Sequence, residues 1–454
     1  MRTVPVERAL WRAAVRGWLV LGLWASMVSS VAAHSFPTPF RILFDDQDAA
    51  HTVVLLRPGI ALTETGGESW RFLCGAVTGI AGSEPYPAAF AGGHLLVGAY
   101  VGLYRDDGHG CAWSRAAGGL PQGRVLDVVQ VDAWTVEVLL AATRDEPAGR
   151  YVSSDHGLTW TRHTASLPTS EPRTLARGPT ATRALYLIGQ EPPGAGLVVW
   201  ASDDGGERWE RRAELDEACD EILALHAERV VIRCRAEGGQ SDRVILSDDG
   251  AVSFVPWVEV PELGGFALTP DGLGAWIGSR AGGLWRADSK GQLHLLQAGL
   301  HVGCLQLHAG TLWVCARDEP GYDPYALAVS QDGGHTLTPV LRAADVSALQ
   351  TCGNPLQARV CNDEWNQWQA DVALTQTALA SESETSADAS VTARPAPGPI
   401  AAQREQTCSA HTPTGTRAGW QWLVSAACLH LLRHRARRAR TRETRRPRHP
   451  NRPA

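Results

Sequence analysis

Carboxylates are the side chains of this sequence that are best suited to catalysis. A glycoside hydrolase uses two acidic groups on opposite sides of the bond that it cleaves. Several Asp residues stand in polar segments where they could take that role: Asp45, Asp46, Asp132, Asp216, Asp220 and Asp271. Their spacing singles out no pair, and the sequence has no phosphate-binding glycine loop, Ser-His-Asp signature or zinc-ligand spacing. We therefore predict no cofactor and no metal, and an active site only where the fold brings two such acids together.

Another group of Asp residues recurs in one turn pattern, whose fullest copy is Ser153-x-Asp155-x-Gly157-x-Thr159-Trp160. Other copies keep most of these positions: Thr63, Gly67, Ser69 and Trp70; Ser202, Asp204, Gly206 and Trp209; Ser247, Asp249, Ser253 and Phe254; Ser330, Asp332, Gly334 and Thr336. The carboxylate accepts hydrogen bonds from free N–H groups of the turn, glycine supplies a positive φ, and the aromatic ring packs between sheets. Because the pattern recurs along the chain, we interpret these residues as structural rather than catalytic.

The elements that carry these turns are short strands. The turns begin at Thr63, Arg105, Ser153, Ser202, Ser247, Arg286 and Ser330, which gives a unit of about 40–50 residues. Each unit has room for four strands at about 8–12-residue spacing and none for a crossover helix. We predict an all-β fold, a β-propeller of seven four-stranded blades, with eight blades as the alternative. Residues 346–361 look like a further hairpin, which either closes the ring against the N-terminal strands or begins an eighth blade.

Together these repeats resemble the Asp-box (BNR-repeat) propellers over residues 40 to about 370. Sialidases, sortilin-type receptors, some glucan hydrolases and photosystem assembly factors share that architecture. Sialidases carry an Arg-Ile-Pro motif before the first Asp box, where this chain has Arg41-Ile42-Leu43. The resemblance implies that Arg41 binds a substrate carboxylate, and that the nucleophile is sought at Tyr322 or Tyr325. The alternative is that residues 40–44 form only the inner strand of the first blade.

The first 33 residues have the features of a secretory signal peptide. An apolar stretch at 17–31 and small residues precede a cleavage site at His34. Four arginines make the segment basic: Arg2, Arg8, Arg12 and Arg16. An uncleaved N-terminal anchor is the alternative to a signal peptide over residues 1–33. In either case we predict that residues 34–372, which contain the propeller, are exported.

Two segments follow the propeller. Residues 373–407 are rich in Ala, Ser, Thr and Pro and lack aromatic residues, which predicts a disordered linker. Residues 408–454 contain Cys408, an apolar run at 418–432 and an Arg-rich end, which predicts a membrane anchor with a cytoplasmic tail. This arrangement resembles the Cys-containing C-terminal sorting signals of myxobacterial surface proteins, which implies cleavage by a membrane protease and a lipid anchor on Cys408. We therefore predict a protein of the cell envelope or cell surface.

Charge narrows the choice of partners. The chain has a formal net charge of −6 although both terminal segments are basic, so residues 34–372 are strongly acidic. An acidic domain repels phosphate backbones. We predict no nucleic-acid partner, a membrane contact only through the C-terminal segment, and a monomer.

The chain has 10 cysteines, which in an exported protein favours disulfides. Cys304 and Cys315 lie symmetrically about residues 309 and 310, so a two-residue turn there places them opposite each other on paired strands. The same symmetry holds for two other pairs. The predicted disulfides are Cys219–Cys234, Cys304–Cys315, Cys352–Cys361 and, from the cysteines that remain in the first two blades, Cys74–Cys111. Cys408 and Cys428 are left over in the anchor segment.

Two classes of function are compatible with these observations. The first is a non-enzymatic propeller displayed on the envelope, which binds a protein, peptide or glycan through its face or channel. The second is a glycoside hydrolase of sialidase or glucanase type. Convergent carboxylates or arginines at one opening of the ring favour the enzyme, whereas a flat, aromatic and uncharged face favours binding.

Overall fold

A computed structural model describes residues 37–388, except for residues 58, 81–84, 179–182, 192–195, 216–218, 227, 236–240 and 320. The predicted signal peptide at 1–33 and the predicted anchor segment at 408–454, with Cys408, lie outside the described residues.

Seven antiparallel sheets follow one another along the chain, each built from four consecutive strands. The first strand of each sheet lines a central channel, and the fourth is outermost. Blade 1 has β1 (Thr38–Phe44), β2 (Thr52–Arg57), β3 (Ile60–Thr63) and β4 (Trp70–Leu73); blade 2 has β5 (Ala88–Ala91), β6 (His94–Ala99), β7 (Gly102–Asp106) and β8 (Trp113–Arg115); blade 3 has β9 (Val125–Gln130), β10 (Val136–Leu140), β11 (Gly149–Ser153) and β12 (Thr161–Arg162).

The other four blades repeat this order, which confirms the predicted all-β propeller with seven blades rather than eight. Blade 4 has β13 (Glu171–Arg177), β14 (Leu185–Gln190), β15 (Leu197–Ser202) and β16 (Glu210–Leu215); blade 5 has β17 (Cys219–His226), β18 (Arg229–Cys234), β19 (Asp242–Ser247) and β20 (Val255–Val260); blade 6 has β21 (Leu263–Leu268), β22 (Ala275–Ser279), β23 (Gly283–Ala287) and β24 (Leu293–Gln297); blade 7 has β25 (Val302–His308), β26 (Thr311–Ala316), β27 (Leu327–Ser330) and β28 (Thr338–Leu341).

The apolar core lies between neighbouring sheets. Second and third strands face another sheet on both sides, and their sequences are accordingly continuous apolar runs, such as TVVLLR in β2 and LVVWAS in β15. Outer strands vary: β12 has two residues, both exposed, whereas β4 (WRFL) is mostly apolar and buried.

Hydrogen bonds from one blade to a turn of the next hold the ring together on one face. Arg105 Nε donates to the carbonyl of His156 at 2.6 Å, and Arg150 Nη2 donates to the carbonyl of Gly205 at 2.9 Å. Trp276 Nε1 donates to the carbonyl of Gly333 at 2.7 Å. Each acceptor precedes the Gly position of an S-x-D-x-G turn, so these turns join blades as well as strands.

A buried ion cluster joins blades 3 and 4. Glu137 is fully buried; its Oε1 lies 2.5 Å from Arg150 Nε, and its Oε2 lies 2.7 Å from Arg177 Nη2. Burial raises the pKa of Glu137, but the hydrogen bond from His163 and the two guanidinium groups outweigh it and hold the pKa at about 2. The charge of this carboxylate is thus compensated within the protein.

The C-terminal part of the domain, residues 342–372, returns to the start of the chain, and we call it the latch. Its strand β29 (Val346–Leu349) pairs in parallel with β4 as a fifth strand at the outer edge of blade 1. A helix, α1 (Pro355–Asp388), then begins. The prediction of a hairpin over residues 346–361 was therefore wrong, and no eighth blade begins there; of the two predicted alternatives, the segment pairs with the N-terminal blade.

The latch is fixed to blades 1 and 2 by buried contacts. Gln350 is buried; its N–H donates to the carbonyl of Phe72 at 2.7 Å, and its side-chain oxygen accepts from Arg71 Nη1 at 3.0 Å. The Trp368 and Phe72 rings lie 4.8 Å apart. Glu364 accepts the backbone N–H groups of residues 75 and 76 at 2.9 and 3.2 Å, where a short 3-10 helix begins with free donors.

Four disulfides are present. The predicted hairpin pairs Cys219–Cys234 and Cys304–Cys315 occur. The other two predicted pairs, Cys352–Cys361 and Cys74–Cys111, were wrong, because the latch has no hairpin and instead crosses to the first two blades. The pairs that form are Cys74–Cys361 and Cys111–Cys352.

Helix α1 also extends into the segment predicted as a disordered linker, since residues 373–388 are helical. After Pro355 the helix contains neither Gly nor Pro and is rich in Ala, Leu, Glu and Gln, which are good helix formers. Low aromatic content predicts poor burial, but it does not exclude a helix that continues from a packed first half.

We expect the two latch disulfides to contribute more to stability than the two hairpin disulfides. Hairpin pairs span 15 and 11 residues, whereas latch pairs span 287 and 241. Loop entropy is worth about 3 kcal/mol for a short loop and about 4–5 kcal/mol for a long one. Replacing the four latch cysteines by Ser should lower the free energy of unfolding in urea by about 3 kcal/mol more than replacing the four hairpin cysteines. Equal losses would contradict a closing role for the latch.

Candidate functional site: the central channel

The central channel is the cavity that all seven blades share. It has a volume of about 560 Å³ and is lined by the inner strands, from β1 through β25. Most of the lining residues are apolar or glycine, as at Gly264 and Gly265 of β21, but the exposed surface of the wall is mainly polar. The polar side chains therefore determine what the channel can bind.

Arg41 lies on β1 and is exposed to the channel. Asp127 of β9 also lines the channel and accepts hydrogen bonds from Thr174 Oγ1 at 3.0 Å and from the N–H of Leu175 at 3.1 Å. Burial raises the pKa of Asp127 above its ordinary value, although these hydrogen bonds and the Arg41 charge oppose the shift. Asp127 thus joins blades 3 and 4, and Arg41 is the cation that remains exposed in the channel beside it.

Two other carboxylates line the channel, and each has a protein partner. Asp46 Oδ2 accepts from Gln130 Nε2 at 3.0 Å. Glu221 Oε2 lies 2.7 Å from Nη2 of Arg233, whose side chain is buried. Asp127 and Glu221 were missed from the sequence; their only signal is an acid within an otherwise apolar inner strand.

Of the four acids considered from the sequence whose side chains the structure describes, Asp46 alone lines the channel. Asp45, Asp132 and Asp271 accept hydrogen bonds within their own loops. Asp216 lies outside the described residues, and the side chain of Asp220 is not described.

The tyrosines suggested by the sialidase resemblance lie away from the channel wall. Tyr325 is buried, and burial raises its pKa to about 12. Tyr322 lies under the guanidinium of Arg317, with Cζ 3.7 Å from the ring centroid. Neither of these two tyrosines therefore lines the channel with Arg41.

The repeated turns have one hydrogen-bond geometry. In the copy at Ser153, the N–H of Gly157 donates to Ser153 Oγ at 2.8 Å and the N–H of Thr159 donates to Asp155 Oδ1 at 2.8 Å. The same bonds occur in the turns that begin at Ser202, Ser247 and Ser330, and hydroxyl oxygens replace the carboxylate in the turn at Thr63. All these acceptors are filled by their own turn, which accords with a structural role.

The turns predicted to begin at Arg105 and Arg286 keep few residues of the pattern and begin at other residues in the structure. In blade 2 the turn begins at Asp106 rather than Arg105, because Asp106 Oδ2 accepts the N–H of Gly110 at 3.0 Å in the place of the serine hydroxyl. Trp113 Nε1 then donates to the carbonyl of Gly110, as Trp160 Nε1 does to that of Gly157, both at 3.1 Å. In blade 6, Asp288 accepts the N–H groups of residues 290 and 292.

Within the described ranges, no cluster of three His, Cys, Asp or Glu side chains is placed to hold a metal ion. The helices of the described part are not long and apolar enough to cross a membrane.

Comparison with known proteins gives only remote similarity. Neither a scan of protein families nor a search of curated proteins finds a match. Among solved structures, the chain is similar to the GH74 xyloglucanase from Xanthomonas campestris, with 15% identity, 65% of this chain covered and a TM-score of 0.40; it spans 59% of that enzyme's chain. It is also similar to YCF48 from Cyanidioschyzon merolae, with 15% identity, 69% of this chain and 88% of that chain covered, and a TM-score of 0.36. A third similar structure is hydrazine synthase from Kuenenia stuttgartiensis, with 12% identity, 68% of this chain and 99% of that chain covered, and a TM-score of 0.47. The propeller assignment rests on the sheet topology.

We expect the turn carboxylates to make stability fall at acid pH. Burial raises the pKa of Asp155, but hydrogen bonds from Thr159 and Ser153 lower it by more. The net effect is a fall of this pKa from 3.8 to about 2. A group whose pKa is depressed by folding stabilises the folded state above its unfolded pKa, and this contribution is lost as the pH falls through the folded pKa. The decrease in the free energy of unfolding that Asp155→Asn causes should therefore reach its maximum above about pH 4 and become smaller toward pH 2.

Urea unfolding at several pH values measures this difference. Asp145→Asn is the matched control, because Asp145 is an exposed residue of the same blade. A loss from Asp155→Asn that does not change between pH 4 and 2 would show that the carboxylate charge is not the stabilising feature.

Proposed function

We propose that this protein is an exported Asp-box propeller that binds a protein, peptide or glycan through its central channel and catalyses no reaction. One observation carries the proposal: the described carboxylates that line the channel, Asp46, Asp127 and Glu221, are each engaged by another group of the protein. A glycoside hydrolase needs an acid and a base that are available to the substrate. The same channel leaves Arg41 exposed, which favours recognition over bond cleavage.

A glycoside hydrolase remains the second candidate because of one feature, the convergence of arginines at an opening of the channel. Arg57, Arg233 and Arg280 belong to different blades and lie near that opening. Enzymes for acidic sugars use such groups to hold the substrate. This candidate predicts release of sugar from a glycan substrate, whereas the binding propeller predicts retention without release.

Four disulfides indicate that the domain is exported. We propose that residues 1–33 direct this export, that residues 389–407 act as a spacer, and that residues 408–454 anchor the protein to the envelope membrane, with Cys408 as the lipid-bearing residue.

We expect the mature chain to begin at His34 and to remain with the membrane fraction of the source cells. Replacement of Cys408 by Ala should release it, whereas Cys428→Ala should not, because only Cys408 precedes the apolar run. N-terminal mass spectrometry and cell fractionation measure the two outcomes. Release by both variants, or by neither, would contradict the assignment of Cys408.

We expect a partner to be cross-linked from inside the channel. Gln306 lies on β25, lines the channel and is exposed, so a photo-reactive amino acid placed there faces any bound ligand. Leu295 on the outer strand β24 is 57% exposed and is the matched control position. On intact cells, cross-links that form at position 306, not at 295, and that disappear when excess unlabelled chain competes, would support binding through the channel.

Two results would contradict the proposal. Equal cross-linking at both positions would show that the channel is not the binding site. Release of sugar from a glycan array by the full chain, abolished by Arg41→Ala, would show that the protein is an enzyme.

A further inference from the structure

The four disulfides differ in their exposure to solvent. In three of them both cysteines are at most 5% exposed: Cys74–Cys361, Cys219–Cys234 and Cys304–Cys315. In the fourth, Cys352 is exposed and Cys111 is half-buried. A reductant cleaves a disulfide only if its thiolate reaches one of the two sulfur atoms. Of these four disulfides, Cys111–Cys352 is therefore the one that a reductant reaches most readily in the folded domain.

The exposed disulfide is the covalent link between the latch and blade 2. Cys111 lies in the turn between β7 and β8, and the side chains of Gln350 and Gln357 donate to carbonyls of the same turn. Blade 1 holds the latch separately, through β29 and the buried disulfide Cys74–Cys361. Cleavage of Cys111–Cys352 would therefore leave the latch attached to blade 1 and joined to blade 2 by hydrogen bonds.

The backbone at Cys352 has a conformation that side chains disfavour. The φ angle of Cys352 is +48°, and that of Gly353 is +75°. Glycine adopts positive φ easily, but a residue with a Cβ atom rarely does, because that atom approaches the following carbonyl oxygen. Opening the disulfide removes one of the constraints that hold Cys352 in this turn, so the turn can then change conformation.

We propose that Cys111–Cys352 is a site of thiol–disulfide exchange with a dithiol reductant, and that its cleavage loosens the latch. This inference goes beyond the proposed function, since it does not depend on what the channel binds. Exchange proceeds through a mixed disulfide, in which the attacked sulfur is bonded to the reductant. The exposure of Cys352 makes it the residue that is attacked.

The reaction has two steps. A thiolate of the reductant forms a bond to Cys352 Sγ while the bond to Cys111 Sγ breaks, and Cys111 leaves as a thiolate. Gln350 Nε2 lies 3.9 Å from Cys111 Sγ and can donate a hydrogen bond to it. The second thiolate of the reductant then displaces Cys352. The dithiol is oxidised to a disulfide, the protein disulfide gains two electrons, and its two sulfurs take up the two protons that the dithiol lost.

The test follows the reduction of each disulfide in the folded full chain. N-ethylmaleimide first blocks the thiols that are not in disulfides. Dithiothreitol is then added without denaturant, and samples taken over time are alkylated with iodoacetamide and analysed by peptide mass spectrometry. We expect Cys111 and Cys352 to be alkylated at least about tenfold faster than Cys74 and Cys361. Cys74–Cys361 is the matched control, because it also fixes the latch and closes a similarly long loop but is buried.

Urea unfolding then measures the effect on the latch. The protein in which only Cys111–Cys352 has been reduced and alkylated should unfold at a lower urea concentration than the untreated protein, because a loop of 241 residues is no longer closed. Cys111→Ser combined with Cys352→Ser should lower the midpoint by the same amount, which excludes an effect of the alkyl groups. If that variant does not fold, the reduced natural chain still gives the result.

Two outcomes would overturn the inference. Reduction of all four disulfides together, at the rate of global unfolding, would show that dithiothreitol does not reach Cys111–Cys352 in the folded domain. Selective reduction without a change in the urea midpoint would show that this disulfide does not tighten the latch. Either failure would leave the channel in place as the binding site, because the cross-linking test at position 306 is independent of the latch.

Discussion

The seam between the first and last blades is the constraint on which the rest of this structure depends. Each blade is built from four consecutive strands, so no strand is shared between the two ends of the ring. Direct contacts at the seam are close: the Phe44 ring stacks on His308 at 4.0 Å, and a Cβ atom at Gly303 would lie 2.3 Å from the carbonyl oxygen of Pro39. The latch supplements them from outside, by adding β29 to blade 1 and two disulfides to blades 1 and 2.

The channel depends on this closure because two polar side chains of its wall lie beside the seam. Arg41 belongs to β1, and Gln306 belongs to β25, so the two strands that meet at the seam carry polar groups of the channel wall. If blade 1 moved away from blade 7, these two side chains would lose their positions relative to each other. A ligand that contacts both sides of the opening would in turn stabilise the closed ring.

The sequence was sufficient to predict the blades and insufficient to predict the latch. The turn residues Ser153, Asp155 and Gly157 act locally, through hydrogen bonds over four residues, so their pattern is visible in the chain. Cys352 and Cys361 have the spacing of a hairpin pair but lie in a segment without the repeat, where a strand and a helix cross to other blades. Symmetric spacing of two cysteines predicts a disulfide between them only if the residues that separate them form a hairpin turn.

The contacts of the channel wall could not be predicted for a related reason. Asp46 and Gln130, which share a hydrogen bond, are far apart in sequence and belong to different blades. Only the closure of the ring makes them neighbours. The same applies to Asp127, whose partners Thr174 and Leu175 come from the next blade. Local patterns therefore predict elements, whereas contacts between blades need the assembled ring.

Native-state hydrogen exchange of the unmodified protein tests the closing role of the latch most directly. The informative amide is that of the buried Gln350, whose N–H donates to the carbonyl of Phe72 of β4. If the latch is an integral part of the ring, this amide should exchange only through global unfolding, with the same protection as the buried strand β2. Exchange of the Gln350 amide through local opening, while β2 stays protected, would show that the ring holds without its latch and would contradict this account.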